Sequence, residues 1–203
     1  MISVSKIAVV DYDKCINCRI CERVCPVTAI EFSPERKIVV DDAQCRACGI
    51  CALRCPKEAI QLELRELPID FPNEAEGQVS EELVKEVCLK SHMYPEQVVC
   101  FCFRTRAKDI AKAILLGADT PEKVAIMTGA RTGCGVLCIT GVVRLLKAAN
   151  VELKEAPGYQ WYGKMATIWE VPQSVIDKYD KEYYITADQR IMNKIFPGGG
   201  KNE

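Results

Sequence analysis

A tandem repeat with a period of thirty residues is the feature that most constrains the fold of this 203-residue chain. The segment VDYDKCINCRICERVCPVTAI, which starts at Val10, is followed by VDDAQCRACGICALRCPKEAI, which starts at Val40. Four cysteines, a proline and a final Ala-Ile pair recur in register, which indicates two copies of one structural unit. Short apolar segments flank each copy, and we expect them to form strands around brief helical turns that begin near Ile20 and Ile50.

The cysteines of the repeat have the spacing of metal ligands. Each copy has the pattern C-x2-C-x2-C-x3-C-P, and the eight cysteines are Cys15, Cys18, Cys21, Cys25, Cys45, Cys48, Cys51 and Cys55. Soft thiolates suit iron-sulfur clusters, and the two-residue gaps let three sulfurs of one loop reach three corners of a cubane. Zinc sites or disulfides are the alternatives, but zinc takes four ligands per site and does not explain a third evenly spaced cysteine in both copies. The pattern therefore predicts two 4Fe-4S clusters.

The region from Ser5 to Leu64 resembles the bacterial-type dicluster ferredoxins over its whole length. In that family the fourth ligand of each cluster comes from the other repeat. The resemblance therefore implies one cluster, here named cluster 1, that is bound by Cys15, Cys18, Cys21 and Cys55. It implies a second one, cluster 2, that is bound by Cys45, Cys48, Cys51 and Cys25.

A second cysteine group lies further along the chain, with Cys100 and Cys102 in a C-x-C pair and Cys134 and Cys138 in a C-x3-C pair. Each pair precedes or begins a predicted helix, and helix N-termini stabilise thiolates through their free N–H groups and positive dipole end. Four such thiolates at one point favour a 2Fe-2S cluster. The alternatives are four packed core cysteines or a redox disulfide.

The stretch VVCFCFRTRAKDIAKAILLGADTPEKVAIMTGARTGCGVLC, from Val98 to Cys138, is similar to the bacterioferritin-associated-ferredoxin (BFD) type of 2Fe-2S domain. Domains of this type also occur fused to or partnered with FAD-dependent dehydrogenases. The resemblance implies a small all-α helix-turn-helix domain in which Cys100, Cys102, Cys134 and Cys138 bind the cluster. The compact members close with C-x2-C, whereas this chain closes with C-x3-C.

These features together predict an α+β chain with four parts. We expect a dicluster ferredoxin domain at residues 1–66, a linker with one helix at 67–95, a BFD-like domain at 96–150 and a C-terminal extension at 151–203. Prolines and acidic residues after Leu64 favour the linker. Ser80 and the Thr120-Pro121-Glu122 sequence are typical helix starts.

The C-terminal extension concentrates aromatic residues. They are Tyr159, Trp161, Tyr162, Trp169, Tyr179, Tyr183 and Tyr184. Such an extension either packs on its own domains or anchors to a partner through Trp and Tyr. We favour a partner-binding arm, because the segment has few strong periodic signals.

Composition excludes several classes of function. The formal net charge of −1 with interspersed charges is unlike the basic stripe of a nucleic-acid binder. No apolar run approaches the roughly 20 residues that a membrane span needs. The start MISVSKIAVVDYDKC lacks the apolar stretch of a signal peptide, so we expect the thirteen cysteines to serve mainly as ligands in a reducing cytoplasm.

We find no catalytic motif in the sequence. The glycine-rich segment 129–135 lacks the Gly-Lys-Ser/Thr ending of a phosphate loop, and we expect it to wrap a cluster. His92 is the only histidine, which excludes Rieske ligation, and Cys88 is expected to be plain packing.

The predicted function is that of a cytoplasmic electron-transfer subunit, in keeping with anaerobic metabolism. It would relay electrons between a catalytic flavin- or metal-cofactor oxidoreductase subunit and another carrier, such as a soluble one. The alternatives are an iron-handling module that docks on an iron store and a scaffold that hands clusters to other proteins.

Overall fold

The computed structural model describes residues 1–35, 37–153 and 167–196. Strand β1 (Ile2–Val10) pairs antiparallel with β4 (Ile60–Phe71), which follows the second copy of the repeat. Ile2 lies opposite Phe71 and Val10 lies opposite Ile60, with an irregularity in register between Val4 and Lys6. This pairing joins the two ends of the repeat unit.

Each copy of the repeat folds into a cysteine-bearing loop and a short helix. Helix α1 (Ile20–Val24) and helix α2 (Ile50–Arg54) have five residues each, and they pack against each other. The C-cap of each helix is the cysteine that precedes a proline, and the missing N–H of that proline prevents the helix from continuing. Strands β2 (Ile30–Phe32) and β3 (Ile38–Val40) form an antiparallel pair between the copies. The predicted helix starts near Ile20 and Ile50 are confirmed.

Helices dominate the second unit. Its elements are α3 (Glu81–Lys90), β5 (Val98–Cys100), β6 (Thr105–Arg106), α4 (Ala107–Leu115), α5 (Pro121–Thr128) and α6 (Ile139–Ala148). The predicted caps are confirmed, because Ser80 accepts a hydrogen bond from the Leu83 N–H and Thr120 accepts one from the Lys123 N–H. The core of this unit is made by fully buried side chains of Cys88, Ile110, Val124, Val142, Leu145 and Leu146.

The structure departs from the expected all-α domain and from two expected boundaries. Strands β5 and β6 form a short hairpin within the region expected to be all-α. Helix α3 packs on α4 and α6 with Val87 and Cys88 buried, so it belongs to the helical core and not to a linker. Strand β4 continues past residue 66 to Phe71, because Pro68 is tolerated in a strand that has a partner on one side only.

The C-terminal part contains helices where we expected an arm with little regular structure. A short 3-10 helix (Ile168–Glu170) is followed by α7 (Gln173–Tyr183) and α8 (Ile185–Ile195). The Tyr94 hydroxyl donates to the Ile195 carbonyl at 2.9 Å, so this segment contacts the helical unit of its own chain. The predicted aromatic residues Tyr159, Trp161 and Tyr162 lie outside the described residues.

No helix in residues 1–35, 37–153 and 167–196 combines the length and the apolar character that crossing a membrane requires.

Candidate iron-sulfur sites

Two cavities in the N-terminal unit are each lined by four cysteines, three from one repeat and one from the other. The cavity here named cavity 1 contains Cys15, Cys18, Cys21 and Cys55. Its remaining lining is mostly apolar and includes Val10, Ile38 and Ile60. The structure thus brings together the residues that the ferredoxin resemblance implies for cluster 1.

Cavity 2 repeats this arrangement with the roles of the two copies exchanged. It contains Cys45, Cys48, Cys51 and Cys25, the residues implied for cluster 2. Val27, Ile30 and Leu62 provide much of its apolar wall. Since both cavities draw on both copies, neither copy forms a complete site by itself.

The loops reach this geometry through residues in the left-handed backbone region. Asn17 and Arg19 have φ values of 56° and 61°, and the equivalent Ala47 and Gly49 have values of 48° and 75°. Left-handed residues turn the chain sharply, which lets closely spaced cysteines face one interior. Only one of these four positions is a glycine, so sequence alone gives little sign of the turn at the other three.

Backbone N–H groups point at the fourth cysteine of each copy. The Ala29 N–H donates to Cys25 Sγ at 3.2 Å, and the Ala59 N–H donates to Cys55 Sγ at 3.3 Å. Hydrogen bonds from N–H groups favour the charged form of a thiol. The same stabilising contact therefore serves one ligand candidate in each cavity.

Burial opposes ionisation of these cysteines in the absence of a positive charge. It raises the pKa of Cys21 and Cys48 to about 11 and that of Cys51 to about 12. Metal ligation requires the thiolate, and a bound iron supplies the attraction that overcomes this burial cost. A buried, mostly apolar cavity with four thiols fits an iron-sulfur cubane, which takes four cysteine ligands.

A single metal ion is a different case. Among the residues that the structure describes, no group of three or more His, Cys, Asp or Glu side chains is arranged to hold one ion.

The third site lies in the helical unit, where the four predicted cysteines meet as two pairs. Cys100 ends strand β5 and is buried beside Cys138, which precedes helix α6 and is also buried. A hydrogen bond from the Cys138 thiol lowers the pKa of Cys100 to about 5 and raises that of Cys138. Cys102 and Cys134 form the second pair, which is exposed.

Backbone groups also favour thiolates at this third site. Hydrogen bonds from the N–H groups of Val136 and Leu137 lower the pKa of Cys134. The Arg131 N–H makes a smaller contribution in the same direction at Cys100 and Cys138. One buried and one exposed pair of thiols suit a 2Fe-2S cluster, which binds four cysteines.

The glycine-rich segment 129–135 wraps this third site. A Cβ atom at Gly133 would lie 2.5 Å from Cys102 Cβ and 2.7 Å from Cys102 Sγ, so the backbone packs directly on that cysteine. The Thr132 hydroxyl donates to the Gly129 carbonyl at 2.6 Å. An ion pair of 2.9 Å between the buried Arg131 and Glu122 fixes the loop against α5.

Two arginines beside cavity 2 were not anticipated from the sequence. The side chain of Arg65 is 3% exposed and donates to the Cys45 carbonyl at 2.5 Å, while Arg46 lines the cavity itself. Burial lowers the pKa of Arg46 to about 10, so it keeps its charge at neutral pH. A comparison of the two repeats could have singled out Arg46, because Ile16 occupies the equivalent position in the first copy.

Comparison with known proteins agrees with these sites. The family model of a 4Fe-4S dicluster domain matches residues 8–62, and that of a BFD-like [2Fe-2S] binding domain matches residues 98–148. A comparison with curated proteins gives no match. A dicluster 4Fe-4S domain implies two 4Fe-4S clusters and a BFD-like domain binds a 2Fe-2S cluster, so the predicted cofactors are confirmed. The chain therefore contains a segment that matches 4Fe-4S dicluster domains, followed by one that matches BFD-like [2Fe-2S] binding domains.

Proposed function

We propose that this chain is the electron-transfer subunit of an oxidoreductase complex. It relays electrons through its two 4Fe-4S clusters and its 2Fe-2S cluster, between a catalytic subunit with a flavin or metal cofactor and another carrier. Iron-sulfur groups supply one-electron redox chemistry when bound. The observation that carries the proposal is that cysteines reach the surface at two separate sites, at Cys18 and at the Cys102–Cys134 pair.

The ligand assignment forms part of this proposal. Cluster 1 is bound by the four cysteines of cavity 1, cluster 2 by the four of cavity 2, and the 2Fe-2S cluster by the two pairs of the helical unit. Support comes from the common lining of each cavity and from the hydrogen-bonded pairing at the third site. Cys88 is not assigned as a ligand, because it lies on α3, outside the two hydrogen-bonded cysteine pairs.

The catalytic subunit docks at the 2Fe-2S site. Three apolar side chains beside its exposed cysteines face solvent, with Phe101 74%, Leu137 77% and Val136 51% exposed. Apolar side chains in a surface patch are typical of protein interfaces. The complex is cytoplasmic, because a reducing compartment preserves thiolate ligands.

The decisive experiment has two stages and uses the full chain under anaerobic conditions. The purified protein is first examined for iron content and for EPR signals after reduction. We expect about 10 iron atoms per chain and distinct 4Fe-4S and 2Fe-2S signals. About 8 iron atoms without a 2Fe-2S signal would contradict the assignment of the third site.

The second stage identifies the partner by affinity purification from native cells and then tests electron transfer. We expect a flavoprotein or metalloenzyme whose substrate reduces the clusters of this chain. A Phe101→Ser, Leu137→Ser double variant serves as the matched control and should bind this enzyme weakly while it keeps its iron. Capture of a ferritin-like shell whose stored iron is reduced through this chain would replace the proposal with the iron-handling function. Transfer of clusters to apo-acceptors would replace it with a scaffold function.

A further inference from the structure

The two copies of the repeat have different surroundings in the folded chain. Ile50 is buried, whereas Ile20 at the equivalent position is only half-buried. Likewise Cys48 is half-buried, whereas the equivalent Cys18 is exposed. The cysteine spacing is the same in both copies, and the two copies differ in what packs on them.

The BFD-like domain packs on the second copy. Ala125 of helix α5 is fully buried within the core of the dicluster domain, and the neighbouring Ile126 accepts a hydrogen bond from Arg46 of the second copy. At a second point, the backbone of Gly135 lies against Ile50, since a Cβ atom at Gly135 would be 2.6 Å from Ile50 Cδ1. Helix α5 and the loop of the third cysteine site therefore both contact the second copy.

The contact between Ile50 and Gly135 links two cysteine sites directly. Ile50 lies in the sequence between Cys48 and Cys51 of cavity 2. Gly135 follows Cys134 of the 2Fe-2S site. One packed pair of residues thus separates these two sites.

Arg46 connects the same two domains through its guanidinium group. It donates to the Ile126 carbonyl of α5 at 2.5 Å, and its Cζ lies 3.9 Å from the centroid of the Phe71 ring. In the described residues its hydrogen-bond acceptors are the carbonyls of Ile126 and Pro72, and neither carries a full charge. Negative charge stabilises a partly buried cation, and the cysteines that would hold cluster 2 as thiolates line the same cavity as Arg46.

We infer that cluster 2 is the inner centre of the relay, adjacent to the 2Fe-2S cluster, and that Arg46 is a positioning residue that holds the BFD-like domain against it. Cluster 1 is then the outer 4Fe-4S centre, at the exposed Cys18. This order rests on the proposed function and its ligand assignment. Each step moves one electron between neighbouring clusters, so one is reduced as the other is oxidised and no bond is made or broken.

EPR spectroscopy of the fully reduced full chain tests this order, because a paramagnetic neighbour speeds the spin relaxation of the 2Fe-2S centre. Cys18→Ala and Cys48→Ala are a matched pair at equivalent positions of the two repeats. We expect Cys48→Ala to slow the relaxation of the 2Fe-2S signal and Cys18→Ala to leave it as in the unmodified chain. Each variant should keep roughly 6 iron atoms per chain. The opposite pattern, or equal effects of the two variants, overturns the inference.

A second set of variants tests Arg46 without removing a ligand. Arg46→Ile copies the residue of the first repeat, and we expect all three clusters to remain, with slower 2Fe-2S relaxation. The midpoint potential of one 4Fe-4S centre should shift to more negative values, because loss of a nearby positive charge disfavours the added electron. Arg46→Lys should restore much of that potential, since it keeps the charge but not the planar fork.

The control is Ile16→Arg, which places the same side chain at the equivalent position of the first copy, beside cavity 1, and should leave the 2Fe-2S relaxation unchanged. If Arg46→Ile leaves both the 2Fe-2S relaxation and the 4Fe-4S midpoint potential unchanged, Arg46 is not the positioning residue that we infer. Absence of a 2Fe-2S signal from the unmodified chain is a separate result, which contradicts the proposed function itself.

Discussion

Trp169 stacks on His92, with ring centroids 3.4 Å apart and an angle of 7° between the planes. The indole N–H of Trp169 donates to the Asn193 side-chain oxygen at 2.8 Å, and Arg144 lies over the same indole at 5.7 Å. One of the aromatic residues that we expected to bind a partner therefore packs on its own chain. The stack ties the C-terminal helices to the helical unit.

The stack should weaken in mild acid. Burial lowers the pKa of His92 from its ordinary value of 6.5, the Arg144 charge lowers it further, and Glu170 acts in the opposite direction. Because the lowered value belongs to the stacked state, the released histidine binds a proton more readily. The stacked form is fully favoured above pH 6.5 and loses stability as the pH falls below that value.

Tryptophan fluorescence between pH 8 and pH 5 measures this, in a Trp161→Phe background that leaves Trp169 as the reporter. We expect a change in emission below about pH 6.5. The variant His92→Phe keeps a ring but does not titrate, so its emission should stay constant over this range. An equal pH response in both proteins would contradict the prediction.

Gly133→Ala should remove the 2Fe-2S cluster selectively. The added methyl group would lie 2.5 Å from Cys102 Cβ and displace that cysteine from its pair. We expect about 8 iron atoms per chain, with the 4Fe-4S signals retained. Iron analysis and EPR check the result, and retention of about 10 iron atoms would show that the loop tolerates the methyl group.

Cys88 and Cys100 form a matched pair of buried cysteines in the same unit, 0% and 2% exposed. Cys88→Ala should keep about 10 iron atoms per chain and cost roughly 1 kcal/mol of stability, as expected for a small cavity. Cys100→Ala should lose the 2Fe-2S signal, because it removes a ligand. Loss of iron from Cys88→Ala, at a folding yield equal to that of the unmodified chain, would disprove the ligand set.

Arg65→Met should make the dicluster domain less resistant to unfolding. Arg65 donates to the carbonyls of Lys6, Asp42 and Cys45 at 2.7, 2.8 and 2.5 Å, and methionine leaves all three without this donor. A loss of roughly 2–4 kcal/mol follows, since each hydrogen bond contributes about 0.5–1.5 kcal/mol and three are lost. Because cluster proteins unfold irreversibly, the measurement is the rate at which the visible absorbance of the clusters bleaches in urea.

The control for this experiment is Lys14→Met, which removes a 2.9 Å ion pair with Asp11 on the surface of the same domain. Exposed pairs contribute little, so bleaching should proceed at the rate of the unmodified chain. Equal rates for the Arg65 and Lys14 variants would show that Arg65 is not required for this stability.

The sequence predicted the features that depend on neighbouring residues. The helix starts at Ile20 and Ile50 follow from the repeat, and the caps at Ser80 and Thr120 follow from local hydrogen bonding. The cysteine spacing predicted the cofactors. The β5–β6 hairpin has strands of three and two residues, too short for a periodic signal.

Contacts between residues that are far apart in the sequence could not be predicted from it. Arg46 and Ile126 are eighty positions apart, and nothing near either residue indicates that they meet. The same limit applies to α3, whose apolar face shows that it packs but not on which elements. Pro68 and the acidic residues near it suggested a linker, because these residue types are rare in strands. The pairing of this segment with β1, which makes it a strand, cannot be seen in the local sequence.

The pairing of Ile2 with Phe71 has a consequence for folding during synthesis. Strand β1 leaves the ribosome well before its partner, and synthesis at about 5–20 residues per second leaves it unpaired for roughly 3–14 s. The fourth cysteine of cavity 1, Cys55, also emerges late in that interval. Because the proposed ligand set of cluster 1 includes Cys55, the binding of that cluster and the pairing of β1 with β4 both become possible only near the end of this interval.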